Sequence, residues 1–345
     1  MKLLEKTNLR KNHKIGLHPK AIEANAFANL FASALERHRY TTTESPVSAA
    51  DLKAIDILIY HWPWFLERGV SFRRGLLGMR HIMMARRRSN LKLVWVAHNA
   101  QPHEGGNRLL AWLFFSQLDG VIYLSNHSRK IVRGTHKLSK NVKELVTVHG
   151  AYTSPRKHAD LPQMPSSGPH LFSFGLIRPY KGFDQLLTAA RNASERCTIG
   201  IAGRIVDESY AKALSELAHG MGMVSLDFRE NFLPAAELDS MIDACHGVVM
   251  PYREILNSGA ALHALSRARP VLVPNRGSML ELQDIIGSEW VHLFDGDLTS
   301  KVLDEFTSFV QTFPSDARPD LSMFSWERVS HDLAVFFDDL TEARP

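Results

Sequence analysis

The sequence contains very little cysteine and no long apolar run. Only Cys197 and Cys245 are cysteines, and both stand among apolar neighbours. Two isolated thiols exclude a disulfide framework and a cysteine-based zinc site. No stretch approaches the ~20 apolar residues of a membrane-spanning helix. The apolar part of the N-terminal MKLLEKTNLRKNHK is also too short for the core of a signal peptide. We therefore expect a cytoplasmic protein.

Acidic residues are scarce in the first part of the chain. Residues 1–150 contain 24 Lys and Arg against 10 Asp and Glu, a net charge of +14, whereas the remaining residues contain 17 against 26, a net charge of −9. One segment interleaves Leu and Met with the following basic residues: Arg73, Arg74, Arg80, Arg86, Arg87 and Arg88. Such a segment is typical of proteins that lie on an anionic membrane surface, although a solvated helix face is the simpler interpretation. No reader motif for nucleic acid accompanies it, so we expect no nucleic-acid partner.

Short apolar runs alternate with helical patterns, which predicts parallel βαβ units. Residues 1–152 contain candidate strands at 56–61, 91–97, 121–124 and 145–148. The Pro- and Ser-rich residues 153–169 interrupt the pattern and predict a linker. The alternation restarts in residues 170–324, and an amphipathic helix follows in residues 325–345. The pattern predicts an α/β protein of two Rossmann-like doubly wound domains that face each other across a cleft, with ligands beyond the carboxyl ends of the strands.

The segment FGLIRPYKGFD in the second half has the composition of a phosphate-binding loop. Gly175 follows a candidate strand and permits a tight turn, and Arg178 and Lys181 bring two cations to the end of that strand. Arg offers bidentate contact and Lys a point charge, while backbone amides add donors. We therefore predict a diphosphate at this position.

A second loop, PYREILNSGAALHALSRARPV, follows a later strand in the same half. Asn257 or Ser258 would cap a helix whose first amides, near Gly259, suit an anion. Glu254 is a candidate contact for ribose or sugar hydroxyls, and a solvent-facing turn residue is the alternative. The loop at 275–281 predicts a further helix start of the same kind.

Histidines follow several candidate strands of the first half. His98, or His103 together with Glu104, is a candidate base for an acceptor hydroxyl, because imidazole titrates near neutrality. His61 and His149 also stand at strand ends, and His149 and His263 are candidate contacts for a donor sugar. Their spacing fits no zinc signature, so we expect no metal site.

These motifs together resemble those of bacterial GT-B glycosyltransferases, in particular the branch that acts in exopolysaccharide and lipid-linked saccharide assembly. The resemblance is carried by FGLIRPYKGFDQLL and PYREILNSGAALHALSRARPVLVP, and more loosely by VAHNAQPHE and VHGAY. It implies that the second domain binds a nucleoside-diphosphate sugar through Arg178 and Lys181 without a metal ion or other cofactor. It also implies that the first domain binds the acceptor, that His98 stands where relatives place a catalytic or sugar-contacting histidine, and that the C-terminal segment crosses back onto the first domain.

One departure from the family pattern affects the donor site. Alignment on ALSRARPV shows that Ile255 and His263 occupy the positions of the two glutamates that are usual in the family. The second glutamate is therefore absent, and Glu254 would replace the first only after a shift of one residue. In relatives this pair contacts the donor sugar and ribose. The resemblance therefore leaves the sugar and the choice between a retaining and an inverting reaction open.

The sequence thus predicts a glycosyltransferase that moves a sugar from a GDP- or UDP-sugar to a hydroxyl of a saccharide acceptor. The resemblance implies a lipid-linked acceptor, and the basic segment implies a peripheral position on the inner face of the membrane. Two alternatives stay open at this point. A nucleotide-sugar epimerase shares the two-domain layout, and a relative that binds sugar without turnover would explain the missing glutamate.

Overall fold

The computed structural model describes residues 13–19, 26–38, 40–44, 51–66, 70–98, 107–152 and 161–342. The chain forms two compact units, one made of Met1–Gly150 with Trp326–Pro345 and the other of Ala151–Ser325. The first part of the predicted linker, residues 153–160, lies outside the described residues. Each unit contains one parallel sheet and is described separately.

The first unit is built on a six-stranded parallel sheet. Its strands are β1 Lys14–His18, β2 Thr41–Glu44, β3 Ile57–Tyr60, β4 Lys92–Ala97, β5 Gly120–Tyr123 and β6 Lys143–Val146. They are arranged in the order β2-β1-β3-β4-β5-β6. Its helices are α1 Ala26–Glu36, α2 Phe72–Arg88, α3 Arg108–Ser116, α4 Asn126–Thr135 and, at the end of the chain, α11 Trp326–Glu342. The central strands β3, β4 and β5 are mostly apolar and buried, as expected for a sheet covered on both faces.

Two apolar cores lie on the two faces of this sheet. Helices α1 and α11 contribute to the first, where Phe31, Leu333 and Phe337 pack against the strands. Helices α2 and α3 contribute to the second through residues such as Met79 and Phe114. The C-terminal helix is therefore an integral part of the core of the first unit.

The second unit repeats the architecture. Its strands are β7 His170–Phe174, β8 Thr198–Arg204, β9 Val224–Arg229, β10 Gly247–Val249, β11 Val271–Pro274 and β12 Val291–Phe294. They are arranged in the order β12-β11-β10-β7-β8-β9. Its helices are α5 Phe183–Arg191, α6 Glu208–Ala218, α7 Ala235–Asp243, α8 Gly259–Ser266, α9 Met279–Ile286 and α10 Ser300–Gln311. Helices α5, α6 and α10 cover one face of the sheet with a single apolar core.

The predicted α/β architecture of two doubly wound units is confirmed, and strands β1 and β2 are additions to it. Strand β1, with the sequence KIGLH, is five residues long, and β2, with the sequence TTTE, lies at the edge of the sheet. Neither has an apolar run that would identify it. Among the described residues, no helix is both long and apolar enough to cross a bilayer.

Candidate functional site

The loops that follow β7, β10 and β11 meet at the carboxyl edge of the second sheet, because these strands are neighbours. The loop after β7 leaves at Gly175, continues extended to Arg178 and makes a short 3₁₀ turn, Pro179–Lys181. Gly182 then starts α5 with φ 69°, and a Cβ atom there would lie 1.9 Å from the carbonyl oxygen of Pro251. Only glycine allows this approach. The phosphate-binding loop predicted from the sequence is therefore in backbone contact with the loop after β10.

A bidentate ion pair joins the same two loops. Arg253 donates to Asp184 Oδ1 at 2.8 Å and to Asp184 Oδ2 at 2.5 Å, and also to the carbonyl of Pro179 at 2.8 Å. Tyr210 donates its hydroxyl to Asp184 Oδ1 at 2.6 Å. Hydrogen bonds from Arg253 and Tyr210 hold the pKa of the Asp184 carboxyl below its usual value against the opposing effect of burial. The pair keeps the loop after β7 in place while leaving its other cations available.

Lys181 lies in an aromatic pocket at this edge. Its Nζ donates to the hydroxyl of Tyr252 at 3.3 Å and lies 4.4 Å from the centroid of that ring. Gly175 is close enough that a Cβ atom on it would lie 3.2 Å from the same Nζ. Burial lowers the pKa of the Lys181 ammonium, and burial also raises the pKa of Tyr252 to about 12. An anion bound here would stabilise the charged form of Lys181.

Arg178 has an unsatisfied donor. Its Nε is buried and has no hydrogen-bond partner among the described residues. Buried donors are nearly always paired in folded proteins, so this atom indicates a missing acceptor. The carboxyl edge of the second sheet therefore has a guanidinium and a buried ammonium, as a diphosphate requires.

The predicted helix start after β10 is present as α8. Ser258 caps the helix by accepting from the amide of Ala261 at 3.0 Å, and its Oγ lies 3.4 Å from the hydroxyl of Tyr252. Asn257 precedes the cap and Gly259 is the first helical residue. Glu254 lies in the same loop with an exposed side chain. Of the four predicted residues of this loop, Ser258 is linked to Lys181 through the hydroxyl of Tyr252, and contacts of all four with a ligand stay predictions.

The third predicted helix start does not have an open amide at its cap. Helix α9 begins at Met279, and the amide of the preceding Ser278 donates to the carbonyl of Leu256 at 2.9 Å. The loop after β11 therefore supports the loop after β10, because its cap amide is already used within the protein.

His263 is held by protein contacts on its helix. Its Nε2 lies 2.7 Å from Asp239 Oδ1, and its ring stacks on Tyr152 at a centroid distance of 4.6 Å. Both partners come from other parts of the second unit, so the ring joins α7 and α8. Its contact with a donor sugar stays a prediction, and the structure gives it a packing role in addition.

The carboxyl edge of the first sheet carries a group of histidines. His61 follows β3 and His98 follows β4, and His61 Nδ1 lies 3.1 Å from His98 Nε2. His98 also stacks on Trp62 at 4.5 Å, and the edge of Phe27 approaches it at 4.9 Å. His149 packs on the same Phe27 at 4.3 Å. The strand-end position inferred for these histidines thus brings them into one cluster.

Burial keeps this cluster neutral. It lowers the pKa of His61 to about 3 and that of His149 to about 4, and it lowers the pKa of His98 well below its ordinary value. His103 and Glu104, the other predicted base pair, lie outside the described residues. Among the described residues, no group of three or more His, Cys, Asp or Glu side chains is arranged to hold a metal ion.

Most arginines of the basic segment point away from the protein, with one exception. Arg73, Arg74, Arg80, Arg87 and Arg88 have exposed side chains on α2. Arg86 instead forms an ion pair with Asp119 at 3.0 Å and donates to the carbonyl of Gln117. Asp119 in turn accepts from the amide of Leu93 at 2.7 Å. The assignment of Arg86 to the exposed basic face is therefore wrong, because its guanidinium fixes the end of α3 to the sheet.

Several contributors to the site were not identified from the sequence. Tyr252 and Arg253 lie in the quoted PYREILNS motif, but their importance depends on Lys181 and Asp184, about 70 residues earlier in the chain. Arg204, at the end of β8, shares with Arg178 a buried Nε that has no partner in the described part of the chain. The feature of the sequence that could have identified Arg204 is its position directly after the apolar run TIGIAG.

Two six-stranded parallel sheets with a cationic carboxyl edge on the second define the class of GT-B transferases, and comparisons with known proteins agree. HepE of Anabaena in complex with UDP superimposes with a TM-score of 0.61 at 14% identity, over 96% of this chain and 98% of that one. Sucrose-phosphate synthase of Thermosynechococcus elongatus gives 0.60 at 13% identity, over 92% and 78%. At these identities the similarity shows the fold.

Sequence similarity identifies the family. No family model matches the chain. The GDP-mannose:glycolipid 4-beta-D-mannosyltransferase of Xanthomonas campestris pv. campestris is 30% identical over 291 residues, which cover 81% of this chain and 78% of that relative. The chain belongs to the bacterial GT-B glycosyltransferases, and its predicted activity as a nucleotide-sugar glycosyltransferase is confirmed.

Proposed function

We propose that this enzyme transfers mannose from GDP-mannose to a hydroxyl group of a glycolipid. The single observation that carries the proposal is the cationic edge of the second sheet, where the buried Nε of Arg178 has no acceptor among the described residues and Lys181 is an ammonium partly removed from water. The choice of GDP-mannose and a glycolipid rests on the mannosyltransferase relative.

Arg178 and Lys181 bind the diphosphate of the donor and stabilise it as it leaves. Positive charge that is fixed before the reaction stabilises a developing anion without reorganisation and is commonly the largest contribution to catalysis. The backbone amides in the first turn of α8, at Gly259 and Ala260, add hydrogen-bond donors whose partial positive charge also favours an anion. In this proposal the protein supplies all the charge that the leaving group needs, and no metal ion or other cofactor takes part.

The relative forms a β linkage, as its name states. Because GDP-mannose carries its sugar in α linkage, a β product requires inversion, and direct displacement then needs a base for the acceptor hydroxyl. His98 is the candidate among the described residues, since it is neutral at pH 7. Nδ1 of His61 lies 3.1 Å from Nε2 of His98, and this contact orients the imidazole of His98.

The acceptor's lipid and the exposed face of α2 support a peripheral position on an anionic membrane. Phe72, Leu76 and Leu77 are 40%, 43% and 53% exposed between the exposed arginines. On the neighbouring α3, Leu109 and Trp112 are 52% and 54% exposed. Apolar side chains that enter the headgroup region and arginines that contact anionic lipid together describe an interfacial helix.

Incubation with radiolabelled GDP-mannose and a lipid-linked saccharide tests the proposed reaction, with and without EDTA. We expect labelled lipid in both samples. Conversion of free GDP-mannose to another nucleotide sugar would indicate an epimerase, and saturable binding without turnover would indicate a binding protein. Loss of transfer in EDTA that returns with Mg²⁺ would refute metal independence.

Vesicle flotation tests the membrane position. Replacing Arg87 and Arg88 with Gln, or Leu76 and Leu77 with Ser, should release the protein from vesicles that contain anionic lipid. Arg191→Gln with Lys212→Gln, on the second unit, is a control of equal charge change. Equal flotation of all variants would contradict the assignment of α2 to the membrane.

A further inference from the structure

Arg204 and Arg178 project from the same side of two adjacent strand ends. Arg204 is the last residue of β8, and Ile205 after it forms a parallel bridge with Ile177, which precedes Arg178. Ile177 is fully buried in the core of this unit. Because successive side chains alternate between the faces of a strand, Arg178 and Arg204 both point away from the side on which Ile177 and Ile205 lie. They are diagonal neighbours across the bridge.

The backbone holds the two segments together. The amide of Ile177 donates to the carbonyl of Arg204 at 2.8 Å, and the amide of Gly175 donates to the carbonyl of Ala202 at 3.1 Å. A Cβ atom on Gly203 would lie 1.7 Å from the carbonyl oxygen of Gly175, so no larger residue fits between the strand and the loop. The position of Arg204 relative to the phosphate-binding loop is therefore fixed by main-chain contacts.

Both guanidinium groups have spare donors. The Nε atoms of Arg178 and Arg204 are buried, and neither has a hydrogen-bond partner in the part of the chain that the structure describes. The Cζ of Arg204 lies 4.3 Å from the ring centroid of Phe232, which holds the guanidinium without using a donor. The charge of Arg178 contributes to the lowered pKa of Asp207, but that carboxylate accepts from Tyr210 and Ser209 at the start of α6.

We propose that Arg204 is a third cation of the donor site and binds the diphosphate together with Arg178. This inference rests on the proposed function, because it takes a nucleoside diphosphate as the ligand. Neither guanidinium forms an ion pair with a carboxylate in the described part of the chain, and each offers planar pairs of N–H donors that match phosphate oxygens. Lys181 binds the same group from the far side of Gly175.

Calorimetry with GDP and with guanosine separates a phosphate contact from any other role. We expect Arg204→Gln to weaken GDP binding about 10- to 100-fold, as for a lost charged hydrogen bond, and to leave guanosine binding unchanged. Arg204→Lys should give an intermediate loss, because the charge stays while the planar donor pair is removed. Arg191→Gln, at the far end of α5, is the matched control.

Each other outcome has a distinct meaning. A twofold or smaller change in GDP affinity for Arg204→Gln, with normal binding by the native protein, would refute the role of Arg204 alone. Equal losses for GDP and guanosine would assign Arg204 to the nucleoside and also refute it. Failure of the native protein to bind GDP would refute the donor assignment itself. Should Arg204→Gln fail to fold, Arg204→Lys decides by the same comparison.

Discussion

The carboxyl edges of the two sheets have the same place in the same architecture but opposite chemistry. At the edge of the first sheet His61, His98 and His149 are neutral, because burial lowers the pKa of each. Aromatic rings surround them, and two of them share a hydrogen bond. The neutral imidazoles bring no charge that would attract an anion to this edge, and the role of His98 as a base stays a prediction.

The edge of the second sheet has spare positive charge. Arg178 and Arg204 each have a buried Nε that finds no acceptor within the ranges that the structure describes, and Lys181 is held against an aromatic ring. Burial disfavours charge at both edges. The difference is that imidazole can lose its proton at little cost near neutral pH, whereas guanidinium remains charged and needs an anion. In the proposed function, sheet geometry sets where ligands bind, and the charge that each side chain keeps sets which ligands they are.

The largest expected effect comes from removing charge at the second edge. Lys181→Ala should lower kcat/KM for transfer by about 30- to 1000-fold, which corresponds to about 2–4 kcal/mol of transition-state stabilisation. Steady-state kinetics with a saturating acceptor measures it. Lys212→Ala, an exposed lysine on α6, is the control. Near-native turnover of Lys181→Ala would mean that the cationic edge is not the leaving-group site.

At the carboxyl edge of the first sheet, the expected effect is a dependence of folding stability on pH. His61 is neutral in the folded protein down to a pKa of about 3, whereas in the unfolded chain it binds a proton below about pH 6.5. The unfolded state therefore takes up more protons as the pH falls, so stability decreases by about 2–3 kcal/mol between pH 6.5 and pH 4.5. Urea unfolding followed by tryptophan fluorescence measures this decrease.

His61→Gln should reduce that dependence by the share of His61, while His98 and His149 keep theirs. His219→Gln, on an exposed residue, should not change it. Five of the six tryptophans, Trp62, Trp64, Trp95, Trp112 and Trp326, belong to the first unit, so the signal reports mainly on it. The same pH dependence in His61→Gln would show that the neutral histidine does not set the stability of this edge.

A smaller effect is expected where a cation is already paired. Arg253→Lys keeps the charge beside Asp184 but loses the bidentate geometry and the bond to Pro179. Because the pair is partly exposed, we expect about 1 kcal/mol, seen as GDP binding weakened about fivefold. Arg229→Lys, whose pair with Asp227 and Glu237 lies at β9, is the matched control. Equal losses of GDP affinity in both variants would show that the ion pair between the two loops has no special role in GDP binding.

The smallest effect should come from a residue that touches neither edge. Ala268 has φ 54°, a left-handed conformation that costs alanine about 1–2 kcal/mol. Glycine relieves this strain but increases the entropy of the unfolded chain by about 0.4–1 kcal/mol. We expect Ala268→Gly to stabilise the second unit by about 0.5 kcal/mol without changing GDP or vesicle binding. A loss of either binding activity would show that this corner influences an edge after all.

The sequence identified most of the sheet and part of the site. Buried parallel strands such as KLVWVA are apolar along nearly their whole length, so they can be recognised without knowledge of their neighbours. Helix starts were equally visible, since the Ser258 cap acts within three residues. Strand β2, with the sequence TTTE, lacked such a signal because an edge strand needs little apolar surface.

The remaining features depend on contacts between distant residues. The sequence drew attention to Glu254, because it is an acid next to the position of the expected glutamate. In the structure it is the neighbouring Arg253 that joins the two loops, by an ion pair with Asp184 after β7. The position of His263 in the sequence predicts a contact with the donor sugar. Its partner in the structure, Asp239 on α7, could not be inferred from the sequence. In the sequence Arg86 is one of three consecutive arginines that cannot be told apart, and only the structure shows its ion pair with Asp119. Pairings of this kind are set by the sheet order, which a single sequence does not reveal.

Helix α11 has a consequence for biosynthesis. The core of the first unit contains Trp326, Leu333 and Phe337, and the ring of Trp326 lies where a Cβ atom of Gly150 would be, 2.3 Å from its Cε2. All three residues follow the second unit in the chain. The first unit therefore begins synthesis earlier but completes its core later than the second, and the nascent chain exposes an unfinished apolar face until α11 has been made.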